Sequence, residues 1–279
     1  MKKFLIIGIS IFIFLFLSQA QNNFDIAYLK CQYNHTWQFD TLENIVRDDL
    51  LILQIGKNMS KSYSYYTFQY DSLNSSPKGR AEAQRLFIKA FRENSGSIPR
   101  NFPHKRMKSH IYKNYPQGIM TVTDGLSLQD YIYEDQLNAQ NWQFADSTKT
   151  ILDYSCQMAT CDFRGRQWTA WFAPDIPISD GPWKFGGLPG LIMEVYDCGR
   201  QYHFTIVGMQ KVENEPIVFS ETYVGSKRFE KTNRVDFLKA QKKYLMDMNG
   251  YIRMETGIDL STGKPEKIMR YDLIERDYE

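Results

Sequence analysis

The sequence predicts an α+β fold that is mostly β: a curved antiparallel meander sheet with two main helices packed on it. Three observations carry that prediction. Short alternating apolar runs recur between turn signals, and two segments show helical spacing. Aromatic residues reach 15%, with 18 Tyr and 18 Phe. Rings at that density suit a strand-rich core or a broad apolar groove.

The first twenty residues stand apart from the fold. Lys2 and Lys3 make a charged start, Phe4 to Leu17 is apolar, and small residues end at Ala20, before Gln21. That run is shorter than the roughly 20 residues a membrane-spanning helix needs. The expectation is a signal peptide over 1–20, cleaved between Ala20 and Gln21, and a single domain over 21–279. The product is then exported: periplasmic, outer-membrane-associated or secreted, with no transmembrane anchor after cleavage. The formal charge of +2 comes from Lys2 and Lys3, so the remaining chain is balanced. A balanced chain lacks the basic excess of a nucleic-acid surface.

Phe24 to Tyr33 reads as a strand with Phe24, Ile26 and Tyr28 on one face. Leu50 to Ile55 is a second strand. Ser60 to Tyr70 reads as a third, with a β-bulge where the aromatic parity switches between Tyr65 and Tyr66. Pro77 to Glu93 is helical: Leu86, Phe87, Ala90 and Phe91 share one face. A proline-rich basic loop follows, with His104 and His110 expected in solvent. Gly118 to Thr123 and Leu126 to Tyr133 flank Asp124-Gly125, a hairpin signal. Further strands are read at Lys149 to Tyr154, Gln157 to Phe163, Gln167 to Phe172, Leu191 to Tyr196 and Tyr202 to Gln210. Ser226 to Met248 is the second long helix, stopped by Gly250. Ile268 to Ile274 is the last strand.

The densest motif lies in the middle of the chain. Gly181-Pro182 and Gly186-Gly187 bracket Trp183-Lys184-Phe185, and Leu188-Pro189-Gly190 leads into the apolar run Leu191-Ile192. Such spacing permits a tight loop that drives two rings downward. Trp168 and Trp171 fall on opposite faces of one strand, as in a strand covered on both sides. Arg164 and Arg166 lie two apart and point the same way. Asp175 and Asp180 are their expected partners in an Arg–Asp clasp, and a ligand anion is the alternative. From Tyr154 to Tyr196 the chain resembles the GLPGLI family of exported bacterial proteins, associated with the Bacteroidota. The string here is Gly187-Leu188-Pro189-Gly190-Leu191-Ile192. The resemblance implies relatives but no established biochemical role.

Four cysteines, Cys31, Cys156, Cys161 and Cys198, are disulfide candidates in an exported chain. Cys156 and Cys161 would sit about 16 Å apart on one strand. Cross-strand pairing is therefore expected, with Cys198 bridged to Cys156 or Cys161 and Cys31 to another. No HExxH, CxxC or GxSxG occurs, and His35, His104, His110 and His203 have no metal spacing, so neither metal nor cofactor is expected.

These readings favour a non-catalytic binding or accessory protein that uses an aromatic-rich concave sheet face and the Gly/Pro loop. Arg164, Arg166, Trp168, Trp171, Asp180 and Trp183 are its candidate contacts. The partner would be an apolar ligand, a peptide or an outer-membrane protein. An envelope hydrolase built on Asp175–Asp180 or Cys156–His203, and a scaffold subunit of an outer-membrane complex, are the alternatives.

Overall fold

A computed structural model describes residues 23–94, 104–223, 228–259 and 271–278. The expected leader and its cleavage point lie outside these residues, as does the start of the expected Ile268 to Ile274 strand. The described end of that strand is irregular. The fold is mostly β, with twelve strands in one sheet and four helices among the described residues.

In chain order the first strands are β1 (Asn23–Asp40), β2 (Ile45–Gly56), β3 (Ser60–Ser64), β4 (His110–Lys113), β5 (Ile119–Leu126) and β6 (Gln129–Gln136). After them come β7 (Gln143–Ile151), β8 (Tyr154–Phe163), β9 (Arg166–Ala173), β10 (Leu191–Asp197), β11 (Tyr202–Val218) and β12 (Glu230–Lys231). Across the sheet they lie β12-β6-β5-β4-β3-β2-β1-β11-β10-β9-β8-β7. Two meanders, β1 to β6 and β7 to β11, therefore meet where β1 pairs with β11. All pairs are antiparallel except β12–β6, so the sheet is mixed rather than a pure meander.

The sheet curls on itself. β6 and β9 are eight strands apart, roughly 38 Å in a flat sheet at about 4.8 Å per strand. Yet Lys184, on the β9–β10 connection, lies 2.7 Å from Asp135 on β6, and Arg164, in the β8–β9 turn, pairs with the same carboxylate. The connection thus folds into the concave face and fills it with Trp183, Phe185 and Leu188, which pack on Trp168, Phe163 and Phe204. An isolated β-bridge joins Asp180 to Gly186, and Phe185 N donates to Pro182 O at 3.1 Å, closing the tight loop. Gly190 is required by space: a Cβ there would stand 2.3 Å from the Ala173 carbonyl oxygen.

The helices are α1 (Tyr65–Asn74), α2 (Pro77–Glu93), α3 (Arg234–Met246) and α4 (Met248–Thr256). The Pro77–Glu93 helix has the predicted bounds, with Ser76 capping Gly79 N at 3.0 Å, but its apolar face is not packed on the sheet: Phe87 and Phe91 are exposed and the helix buries no residue. Ile26 and Tyr28 share a face as expected, and it is the exposed one; a register shift between Ala27 and Leu29 precedes the inward pair Cys31 and Tyr33. Two other expectations are corrected. Asp124-Gly125 lies inside β5, paired with Tyr131 and Asp130, and the chain reverses at Ser127-Leu128. A Cβ at Gly125 would meet the Lys108 and Asp130 side chains at 2.6 Å, so they lie close over this glycine. The second long helix breaks at Asp247, whose carboxylate caps Gly250 N at 2.7 Å, so Gly250 opens α4 instead of ending α3.

Lys184 is the point at which the curl is fastened. Its ammonium is 2.5 Å from Glu275, 2.7 Å from Asp135 and 3.4 Å from the Tyr133 hydroxyl, with all three side chains buried. Burial works against its charge, and Glu275, Tyr133 and Asp135 outweigh it, raising its pKa above the ordinary lysine value. Lys184→Met leaves Glu275 and Asp135 in the interior without that ammonium. A loss of about 3–5 kcal/mol is expected, read as a lower midpoint in urea unfolding.

Candidate functional site

The residues singled out in the sequence are mostly enclosed. Trp168 is 0% exposed and Trp183 4%. Arg166, 4% exposed, lies 2.8 Å from Asp197 and 2.9 Å from Asp272, and also donates to the Leu273 and Ile274 carbonyls. Arg164 pairs with Asp135, Glu275 and Asp277. A clasp is present, but its carboxylates come from β6, β10 and the C-terminal segment, not from Asp175 or Asp180. Asp180 belongs to Lys113 on β4. That ammonium spends its three protons on Asp180 Oδ1 at 2.6 Å, Gly181 O at 2.7 Å and Phe185 O at 2.5 Å. Asp175 is exposed, whereas Asp180 is buried against Lys113. Gly181, Pro182, Gly186, Gly187, Leu188, Pro189 and Gly190 shape a plug that fills much of the concave face and leaves beside it a small opening of about 290 Å³, bordered by Tyr133, Trp183, Phe237 and Tyr244. Trp171 alone of the three tryptophans lies on the outer face, with Lys149 over its ring at 4.5 Å.

The cysteines do not pair. All four are separate thiols, with Cys198 exposed and the other three buried. Cys31 lies on β1, four strands along the sheet from β8, which carries Cys156 and Cys161. Cys198 follows β10, two strands from Cys161, and about 10 Å along the sheet exceeds the roughly 7 Å a disulfide allows. Burial pushes Cys31 and Cys161 up to about 12, and it raises Cys156 as well, so none of the three is an activated thiolate. His203 Nε2 is instead 2.7 Å from Glu194 and 3.0 Å from Thr205 Oγ1. No group of three or more metal-ligating side chains is found among the described residues.

A larger opening lies on the opposite, outer face. Register places two rows of side chains there. One runs across β11, β1, β2, β3 and β4 as Gln210, Lys30, Gln54, Lys61 and Tyr112. Beside it run Gln32, Ile52, Tyr63 and His110. These rows floor a cleft of about 760 Å³, walled by Tyr65, Phe68 and Asp71 of α1 and by the chain from Pro216 to Tyr223. That volume lies within the usual range for small-molecule sites.

The α1 wall exists because of a cap. Ser64 Oγ accepts from Thr67 N at 3.1 Å and donates to Asp49 at 2.9 Å, while Asp49 also accepts from Leu50 N and Met107 N. The chain therefore leaves the strand at Ser64 and turns helical at Tyr65. This corrects the expected Ser60 to Tyr70 strand: the parity switch is a helix start, not a bulge. His110 is likewise not in a solvated loop but half-buried on β4, and burial, with Lys61 and Lys105 nearby, holds its pKa well below the ordinary value.

Charges in the cleft are mostly matched. Lys30 lies 2.7 Å from Glu215, which also accepts from Gln54 at 2.6 Å. Asp71 pairs with Lys105 at 2.6 Å. Lys61 has one acceptor, the Val218 carbonyl at 3.1 Å, and stands 5.2 and 5.1 Å from the Tyr63 and Tyr112 ring centres. Burial pushes its pKa down to about 8. Sequence reading missed Lys30, Gln54 and Lys61. Their signal was there, in the strict alternation of Lys30 and Gln32 with Cys31 and Tyr33.

Fold and site together define a curled, mostly β domain with a plugged interior and an aromatic-walled outer cleft. Within it, residues 162–194, the plug and its flanking strands, match a family described as "Protein of unknown function (Porph_ging)". The chain is also similar to two crystal structures of PNGF-II, in space groups P21 and C2, at 9% and 10% identity and a TM-score of 0.47 in each case. The similarity covers 77% of this chain but 33% and 32% of those, so the chain spans about a third of their length. A TM-score below 0.5 at such identity carries no activity across. No curated protein matches the chain.

Two outcomes follow from this geometry. Thiol titration without reductant should find one reactive thiol in the native protein, Cys198, and four after denaturation. Asp49, pushed up to about 6 by burial against an ordinary 3.8, binds its proton more tightly when folded than when unfolded. Its contribution to stability is full below about pH 4 and is lost as pH rises through 6. Asp49→Asn should flatten that slope between pH 4 and 6 in urea unfolding at stepped pH.

Proposed function

We propose that the protein is a non-catalytic binding protein of the exported GLPGLI type, which holds its ligand in the outer cleft. One observation carries the reading. The large opening with aromatic walls and hydrogen-bonding groups on its floor lies over β1–β4, whereas the inward face is occupied by the chain's own plug. The Gly/Pro loop then serves binding indirectly, by fixing the curvature of the sheet that floors the cleft. Its export rests on the Lys2 to Ala20 leader pattern.

A hydrolase has less support. Asp180 is committed to Lys113, Cys156 is a buried thiol with a raised pKa, and His203 is engaged by Glu194 and Thr205.

Phe68 provides the test because it lines the cleft while remaining 51% exposed. Native mass spectrometry of protein taken from its own envelope should show a retained drug-sized molecule or short peptide. Phe68→Ala should lower that occupancy about tenfold, equivalent to about 1.4 kcal/mol, with the urea midpoint unchanged. Retention that is unaffected by Phe68→Ala would sink the reading.

A further inference from the structure

We infer that the outer cleft takes a carboxylate-bearing ligand, its carboxylate on Lys61 Nζ and its apolar body against Tyr63, Phe68 and Tyr112. This rests on the cleft being the binding site.

The argument starts from a count of donors and charges. An ammonium has three N–H donors, and Lys61 uses one of them, on Val218 O at 3.1 Å. Flanking rings attract a cation but cannot replace the hydration that burial removes. Every carboxylate around it is spoken for: Glu215 on β11 by Lys30 and Gln54, and Asp71 on α1 by Lys105. Gln54 sits directly across from Lys61 in the β2–β3 register and points its amide to Glu215, which keeps that carboxylate on the Lys30 side. Lys61 is therefore the cation in the cleft, among the described residues, that has no carboxylate partner.

The same count selects the ligand's charge. His110 on β4 is held neutral, and Tyr63, Tyr112 and Tyr223 have pKa values raised by burial, so none of them adds charge near neutrality. Among the described residues the lining contains no arginine fork of the kind that grips a dianion. One unmatched positive charge fits one negative charge, a carboxylate rather than a phosphate. Gln32 and Gln210, on the same floor, offer amides to a neighbouring polar group such as a peptide bond. The carboxylate could come from a peptide C-terminus or from a free organic acid.

The experiment is calorimetry with two matched pairs of probes. One pair is 4-phenylbutanoate and 4-phenylbutanamide; the other is acetyl-Phe-Ala-Phe with a free C-terminus and its C-terminal amide. Each acid should bind at least tenfold tighter than its amide. Lys61→Gln should erase that difference, whereas Lys61→Arg should keep it. Because burial lowers Lys61 to about 8, the wild-type preference should fade above pH 8, and Lys61→Arg should hold it through pH 9. A tighter peptide acid assigns the carboxylate to a C-terminus, and a tighter phenylbutanoate to a free acid; both support the inference. Equal binding of acid and amide overturns it, while loss of that binding in Phe68→Ala would leave the cleft itself standing. Acid binding indifferent to both Phe68→Ala and Lys61→Gln overturns inference and cleft together. No binding by any probe also overturns the inference.

Discussion

Two buried ammonium groups hold this fold in its curled shape, and the rest of the structure depends on them. Lys113 reaches from β4 to the start of the β9–β10 connection and satisfies two of its carbonyls together with Asp180. Lys184 reaches from the middle of that connection to Asp135 and Glu275. Each binds segments that a flat sheet would hold many strands apart. Such pairs add little net stability once desolvation is counted, yet removing one partner leaves an uncompensated interior charge. Their role is geometric. They select the one curvature at which the plug's rings meet Trp168 and Phe204.

Filling the concave face has a consequence for function. Apolar residues that a sequence reading assigns to ligand contact are consumed by the core, and the proposed binding surface lies on the other side of the sheet. There the floor is polar, because Lys30, Gln54 and Lys61 alternate with inward Cys31, Leu53 and Ser62. Aromatic rings border this polar strip, as Tyr63 and Tyr112 at the β3–β4 end of the floor and as Tyr65, Phe68 and Tyr223 in the walls. A cleft with a polar floor and aromatic walls suits a molecule that has both an apolar body and a charged or amide group.

The parts of the fold legible in the sequence are those set by neighbours along the chain. Pro77 marks a helix start, and the alternation in β9 and the apolar run of β10 mark strands. The tight loop at Gly181 to Gly190 is legible for the same reason: glycine and proline restrict or free the backbone locally. Two misreadings share one cause. The helix start at Tyr65 depends on Asp49 holding Ser64, and the Arg164 and Arg166 partners come from β6, β10 and residues 272–277. Each is a contact between positions far apart in the chain.

The sequence by itself determined most of the element types, the tight aromatic loop and the near-even charge balance, because propensity, turn chemistry and composition act within a few residues. Only the tertiary structure decided which face is filled, which carboxylate meets which cation, and which lysine is left without one. Those outcomes depend on curvature and on register summed over twelve strands. A one-residue difference in register exchanges the faces, and no local stretch of sequence carries that sum.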